Sequence, residues 1–124
     1  MAKYYFSAIF LIYSGFFQIL NAQLVLPTNN SILNYIHVLF EWNQYPEAES
    51  YNLEISTDSL FNSVIRTANV SSLIFIEKET INWDSEYYWR LRPVFENSLT
   101  SEWSETYHFF TGQKRSESTV NIYD

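Results

Sequence analysis

The sequence predicts an all-β protein, a sandwich of two antiparallel sheets made from seven short strands. Three observations carry that expectation. Apolar and polar residues alternate with period two in several short runs, as they do in half-buried strands. Aromatic and β-branched residues fill those runs, while Pro, Asn, Ser and Asp clusters separate them. No segment after residue 22 repeats at helical period, which argues against a parallel α/β sheet.

The strands are expected in the following order. Leu24, Val25 and Leu26 precede Pro27 and make a short edge-like strand, followed by a polar loop at residues 28–31. In residues 36–42, Ile36, Val38, Phe40 and Trp42 share one face, and His37, Leu39 and Glu41 share the other. A turn around Pro46 follows. Tyr51, Leu53 and Ile55 then alternate with Asn52, Glu54 and Ser56, the cleanest strand in the chain. A polar turn leads to a strand at residues 61–66. Residues 73–76 are continuously apolar, so parity does not assign their inward face. Tyr87, Trp89 and Leu91 alternate with Tyr88, Arg90 and Arg92, and the last strand is expected over residues 103–111. Pro93 is expected to end its strand early.

The chain has 124 residues and three expected segments: a signal peptide at 1–22, the sandwich domain at 23–112, and a linker or tail at 113–124. Lys3 supplies a positive start, an apolar run follows to Leu20, and Ala22 places a small residue before Gln23, where cleavage is expected. Retention as a membrane anchor is the rival reading, with an apolar run at the lower limit of the roughly 17–25 residues a bilayer needs. Cleavage leaves about 100 residues, the size of one immunoglobulin-like sandwich. Past Gly112 the chain turns polar, then apolar again at Val120, Ile122 and Tyr123, a pattern that fits a tail leading into a further domain of the same polypeptide. The expected location is secreted or at the cell surface.

Composition narrows the chemistry. The chain is 19% aromatic and has no cysteine, so packing rather than disulfides must hold the core. Absence of cysteine also removes thiolate nucleophiles and thiolate metal sites. The net charge of −7 repels phosphate backbones, so no nucleic-acid partner is expected.

Four pieces in order resemble a fibronectin type III domain of the bacterial secreted type. They are Phe40-Glu41-Trp42; Tyr51-Asn52-Leu53-Glu54-Ile55-Ser56-Thr57-Asp58 with Phe61 following; Tyr87-Tyr88-Trp89-Arg90-Leu91-Arg92; and Trp103-Ser104 leading to Phe109-Phe110-Thr111-Gly112. The resemblance covers roughly residues 24–112. It implies a seven-strand antiparallel immunoglobulin-like sandwich with Tyr87 as the corner tyrosine, its hydroxyl bonded to upstream backbone. Trp42 and Trp89 are expected to face each other between the sheets, with Tyr51, Leu53, Ile55, Leu91 and Phe109 filling the space around them. No Arg-Gly-Asp triplet occurs, so integrin-type adhesion has no support.

No catalytic residue, cofactor or metal site is expected, and the chain is not expected to be an enzyme. His37 and His108 fall on outward parities of strands assigned to opposite sheets, beyond the mutual reach that a Ser-His-Asp set needs. Asp58, Asp84 and Glu86 are the nearest thing to a calcium set, but they are expected to form a solvated acidic loop rather than a metal site, since the ligand count falls short. Two glycosylation sequons, at Asn29 and Asn69, fall in expected loops.

The candidate contact face is Tyr88, Arg90, Arg92, His108 and Phe110, which point away from the core by parity. Exposed aromatics beside arginines suit a protein or carbohydrate ligand, since Tyr and Arg are enriched at binding hot spots. The competing reading is intramolecular. In related receptor domains arginines of this strand stack on the tryptophan of a Trp-Ser pair, which here implies Arg90 or Arg92 over Trp103. The expected role is therefore a non-catalytic extracellular spacer, adhesion or ligand-binding module, or else the N-terminal accessory domain of a larger secreted enzyme. No membrane partner is expected once the leader is removed.

Overall fold

The computed structural model describes residues 22–115. The expected leader, apart from Ala22, and the apolar end at residues 120–123 lie outside them. Ala22, expected on the leader side of the cleavage junction, is buried at the rim of the core.

All seven expected strands are present, with an eighth among them. In chain order they are β1 (Leu24–Leu26), β2 (Ser31–Leu33), β3 (Val38–Trp42), β4 (Ser50–Ser56), β5 (Val64–Val70), β6 (Ile74–Glu77), β7 (Glu86–Val94) and β8 (Tyr107–Thr111). One sheet has the order β1-β3-β6 and the other the order β2-β8-β7-β4-β5. The added strand is β2, in a stretch whose polarity suggests only a loop. The chain pairs with β3 before Pro27 and with β8 after it, so it changes sheets across the proline. This β2–β8 pairing is parallel, a departure from the expected wholly antiparallel arrangement.

The core forms where the inward faces of both sheets meet. Val38, Phe40, Trp42, Tyr51, Leu53, Ile55, Trp89, Leu91 and Phe109 are all essentially inaccessible. The two tryptophans are buried as expected but do not form the aromatic pair across the sheets. Phe40 meets Trp89 edge-on at 4.9 Å, and Trp42 meets Tyr51 at 5.6 Å. The reason is spacing. Phe40 and Trp42 are successive inward residues of β3, and each finds a different partner in the five-stranded sheet. Tyr87 is the corner tyrosine: its hydroxyl accepts a 2.8 Å hydrogen bond from the Asn82 backbone N–H.

Pro93 does not end its strand. It pairs with Tyr51 inside β7. The N–H of Leu91, two residues earlier and pointing the same way, is bonded to the Ser104 side chain rather than to β4. The position of Pro93 nitrogen therefore faces the side that β8 has already left, where no ladder bond is needed.

A buried carboxylate closes one open side of the sandwich. Arg66 on edge strand β5 stands opposite inward-facing Ile55 and so points inward itself. It meets Glu77 of β6, in the other sheet, through Nε at 2.7 Å and Nη2 at 3.2 Å. Glu77 is only 1% exposed. Burial would raise its pKa. Hydrogen bonds from Arg66, the Thr80 hydroxyl and the backbone N–H groups of Thr80 and Glu79 outweigh that effect and hold it at about 2.

Candidate functional site

All five residues of the candidate contact face lie on the outer surface of the five-stranded sheet. The register sets Tyr88 beside His108, Arg90 beside Glu54, and Arg92 beside Asn52. The face divides into two halves with different chemistry.

The first half is a stack of alternating rings and guanidinium groups. The Arg90 guanidinium carbon sits 4.0 Å from the Phe61 ring centre and 4.3 Å from that of Trp103, and Arg92 lies 4.3 Å from the same indole. Arg90 and Arg92 project from one side of β7 two residues apart, roughly 7 Å. The indole therefore slots between them, with one cation over each face. Each such contact is worth about 0.5–2 kcal/mol. Arg90 is also ion-paired to Glu54, with Nε at 3.0 Å and Nη2 at 2.8 Å from one carboxylate oxygen.

Local sequence places each layer of this stack. Residues 101–106 are not in a strand, since β8 begins at Tyr107. Trp103 is thus freed from the parity that would bury it with Phe109. Ser104 pins the segment: its N–H donates to the Leu91 carbonyl, and its hydroxyl accepts from the Leu91 N–H and donates to the Glu105 carbonyl. With Ser104 turned inward and buried, its neighbour Trp103 turns outward. At the other end, Asp58 accepts hydrogen bonds from the backbone N–H groups of Leu60, Asn62 and Ser63 and from the Ser56 hydroxyl. Burial opposes ionisation of Asp58, but these bonds hold its pKa below the usual carboxylate value. The turn forces Phe61 to a positive φ of 58°, a conformation unfavourable for an aromatic residue. That backbone geometry lays the Phe61 ring over Arg90.

The second half is an aromatic strip. Tyr88 and His108 stack at 5.0 Å with their planes 11° apart, and Phe110 meets His108 at 4.7 Å. Glu86 joins them, accepting from the Tyr88 hydroxyl and lying 3.2 Å from His108 Nε2. The hydrogen bond to Glu86, followed by burial and the charges of Glu86 and Asp58, raises the Tyr88 pKa above its usual value. Ile32 of β2 pairs beside Phe110 and is 75% exposed, extending the strip to the sheet edge.

The remaining sequence candidates do not assemble. His37 is exposed in the bend just before β3, whose sheet is opposite the one that holds His108. No three His, Asp or Glu residues among the described residues gather as metal ligands. Asn69 lies on β5 rather than in a loop, and its amide nitrogen donates to Ser50 and Asn52. Sequence reasoning missed the pairing of half-buried Arg66 with buried Glu77, which joins edge strands of the two different sheets. An arginine within an apolar run was the only available signal.

The sequence matches no protein-family model and no curated relative. Solved structures do match. An Fn3-like protein from Clostridium thermocellum superposes with a TM-score of 0.55 at 20% identity, covering 77% of this chain and 93% of that one. The fibronectin(III)-like modules of Clostridium thermocellum CbhA give 0.54 at 10% identity, covering 76% and 99%. An alpha-L-rhamnosidase from Dictyoglumus thermophilum gives 0.59 at 15% identity, covering 78% of this chain but 12% of that chain. The architecture is that of a two-sheet all-β sandwich. Its fold is the fibronectin type III fold.

Proposed function

We propose that this chain is a non-catalytic extracellular module that recognises a protein through the aromatic strip of Tyr88, His108, Phe110 and Ile32. The observation that carries the reading is the division of the outer face. Arg90 is engaged within the fold by Glu54, Phe61 and Trp103, whereas the aromatic strip ends at the sheet edge in an Ile32 that is 75% exposed. Aromatic residues beside an exposed aliphatic are the usual anchors of a protein interface. Against catalysis, the carboxylates that meet a cation or a turn are committed to it: Glu54 to Arg90, Glu77 to Arg66, Asp58 to its own loop. A leader at residues 1–22 would deliver the module outside the cell.

A second reading is an accessory domain within a larger secreted enzyme. It is favoured by the rhamnosidase comparison, in which a domain of this fold makes up a small part of a long chain. Both readings are tested by changing Tyr88 and Phe110 to Ser and measuring pull-down of partners from the native secretome beside the thermal midpoint. The expected result is lost capture with the midpoint nearly intact. Unchanged capture would remove the strip from the account.

A further inference from the structure

Beside the arginine stack runs an open groove of about 310 Å³, with Asn52 and Glu54 of β4, Thr67 and Asn69 of β5, Arg92 and Trp103 around it. Through Asn52 and Asn69 it continues into a second open depression of about 540 Å³ bordered by Glu49, Ser50, Ser98 and Thr100. The lining mixes amides and hydroxyls with apolar residues and two carboxylates, Glu54 and Glu49, and it holds one cation, Arg92, that differs from the other arginines of the sheet. Arg66 and Arg90 each hold a carboxylate. Arg92 has no carboxylate or hydrogen-bond acceptor among the described residues, and its Nε is buried without a partner. Among the described residues it stacks on Trp103, and the terminal nitrogens of its guanidinium group stay open to an acceptor.

We propose that this groove binds a carboxylated sugar, a hexuronate unit of an acidic polysaccharide, with Arg92 holding the carboxylate and Asn52 and Asn69 reading adjacent hydroxyls. The fork of an unpaired arginine matches a carboxylate with two parallel hydrogen bonds. The amide pair is already oriented. Asn69 Nδ2 donates to Asn52 Oδ1 at 3.0 Å, which directs the remaining donors of Asn52 and the acceptor oxygen of Asn69 to other partners. A sugar hydroxyl both donates and accepts, and so fits either group.

Neutral sugars are disfavoured by the same geometry. Stacking of a sugar needs an open aromatic ring, and the Trp103 ring is already engaged by the guanidinium groups of Arg90 and Arg92, each 4.3 Å from its centre. An extended peptide is disfavoured because the groove lies over paired strands, whose main-chain groups are used in the β4–β5 and β4–β7 ladders. Glu54 does not repel the ligand strongly, since Arg90 neutralises it at 2.8 Å. The net charge of −7 still opposes an anion at long range, so affinity should be weak and rest on the local arginine. The site is separate from the Tyr88 strip and stands or falls independently of it.

The test is a ¹⁵N–¹H NMR titration of the purified chain with digalacturonic acid, cellobiose, sodium acetate and the blocked tripeptide acetyl-trialanine. Digalacturonic acid at about 10 mM should shift the side-chain amides of Asn52 and Asn69 and the Trp103 indole N–H, with cellobiose silent at that concentration. R92Q should weaken binding at least tenfold while the spectrum stays folded. N52A, which leaves the stack untouched, should weaken it several-fold. No shifts with digalacturonic acid, or equal affinity in R92Q and N52A, would overturn the proposal. Acetate acting as well as the sugar acid would reduce the groove to a simple anion site, and preferential binding of the tripeptide would make it a peptide site; either result also overturns it.

Discussion

Arg66 and Arg90 both sit on the five-stranded sheet and both pair with a glutamate, yet they play different parts. Arg66 points inward from an edge strand to a carboxylate that is 1% exposed and belongs to the other sheet. Arg90 points outward to a Glu54 that is 21% exposed on the neighbouring strand, and adds two aromatic contacts. The first pair closes the open side between β5 and β6. An inward charge on an edge strand also discourages edge-to-edge association. The second pair orders the outer surface and costs little if lost, because water can replace the partner. Position relative to the core, rather than the chemistry of the pair, decides how much each contributes.

The largest effect should come from separating the inner pair. Arg66→Ala removes the cation from the buried Glu77 carboxylate, which keeps only the hydrogen bonds from Glu79 and Thr80, and should destabilise the fold more than any change on the outer face. Chemical denaturation would measure it. A loss below about 1 kcal/mol would place Arg66 with the surface pairs and break the contrast.

Acidification should separate the two sites next. The folded pKa of Glu77 is depressed to about 2, from an ordinary value of 4.5. A depressed carboxylate contributes stability that is fully present above the ordinary pKa and is lost as pH falls toward the folded one. Stability should therefore decline between about pH 4.5 and pH 2 with a component that Glu77→Gln removes. An identical pH profile in Glu77→Gln would show that Glu77 is not held ionised.

The two sites also differ in how far the sequence revealed them. The outer stack was legible because its parts are local signals. Arg90 and Arg92 share a parity on an alternating strand, and Trp103-Ser104 is a recognisable pair. What parity could not settle was the orientation of Trp103, which depends on β8 beginning only at Tyr107. Most of the core followed from alternation alone, as at Tyr51, Leu53 and Ile55. The Arg66–Glu77 pair was not legible. It joins edge strands in different sheets, and the apolar run before Glu77 has no alternation to orient it. Strand β2 escaped for a similar reason: three residues carry too little pattern, and its partner β8 lies at the other end of the domain. The uronate groove draws residues from β4, β5, β7 and the segment before β8, so only the fold assembles it.

The central claim is that the outer face is ordered by stacking of Arg90 on Trp103. A double-mutant cycle between Arg90→Ala and Trp103→Ala, read by urea denaturation, tests it most directly. The account predicts a coupling energy of about 1 kcal/mol, within the range of stacked cation and ring pairs. Additive single mutants, with coupling under about 0.3 kcal/mol, would contradict it.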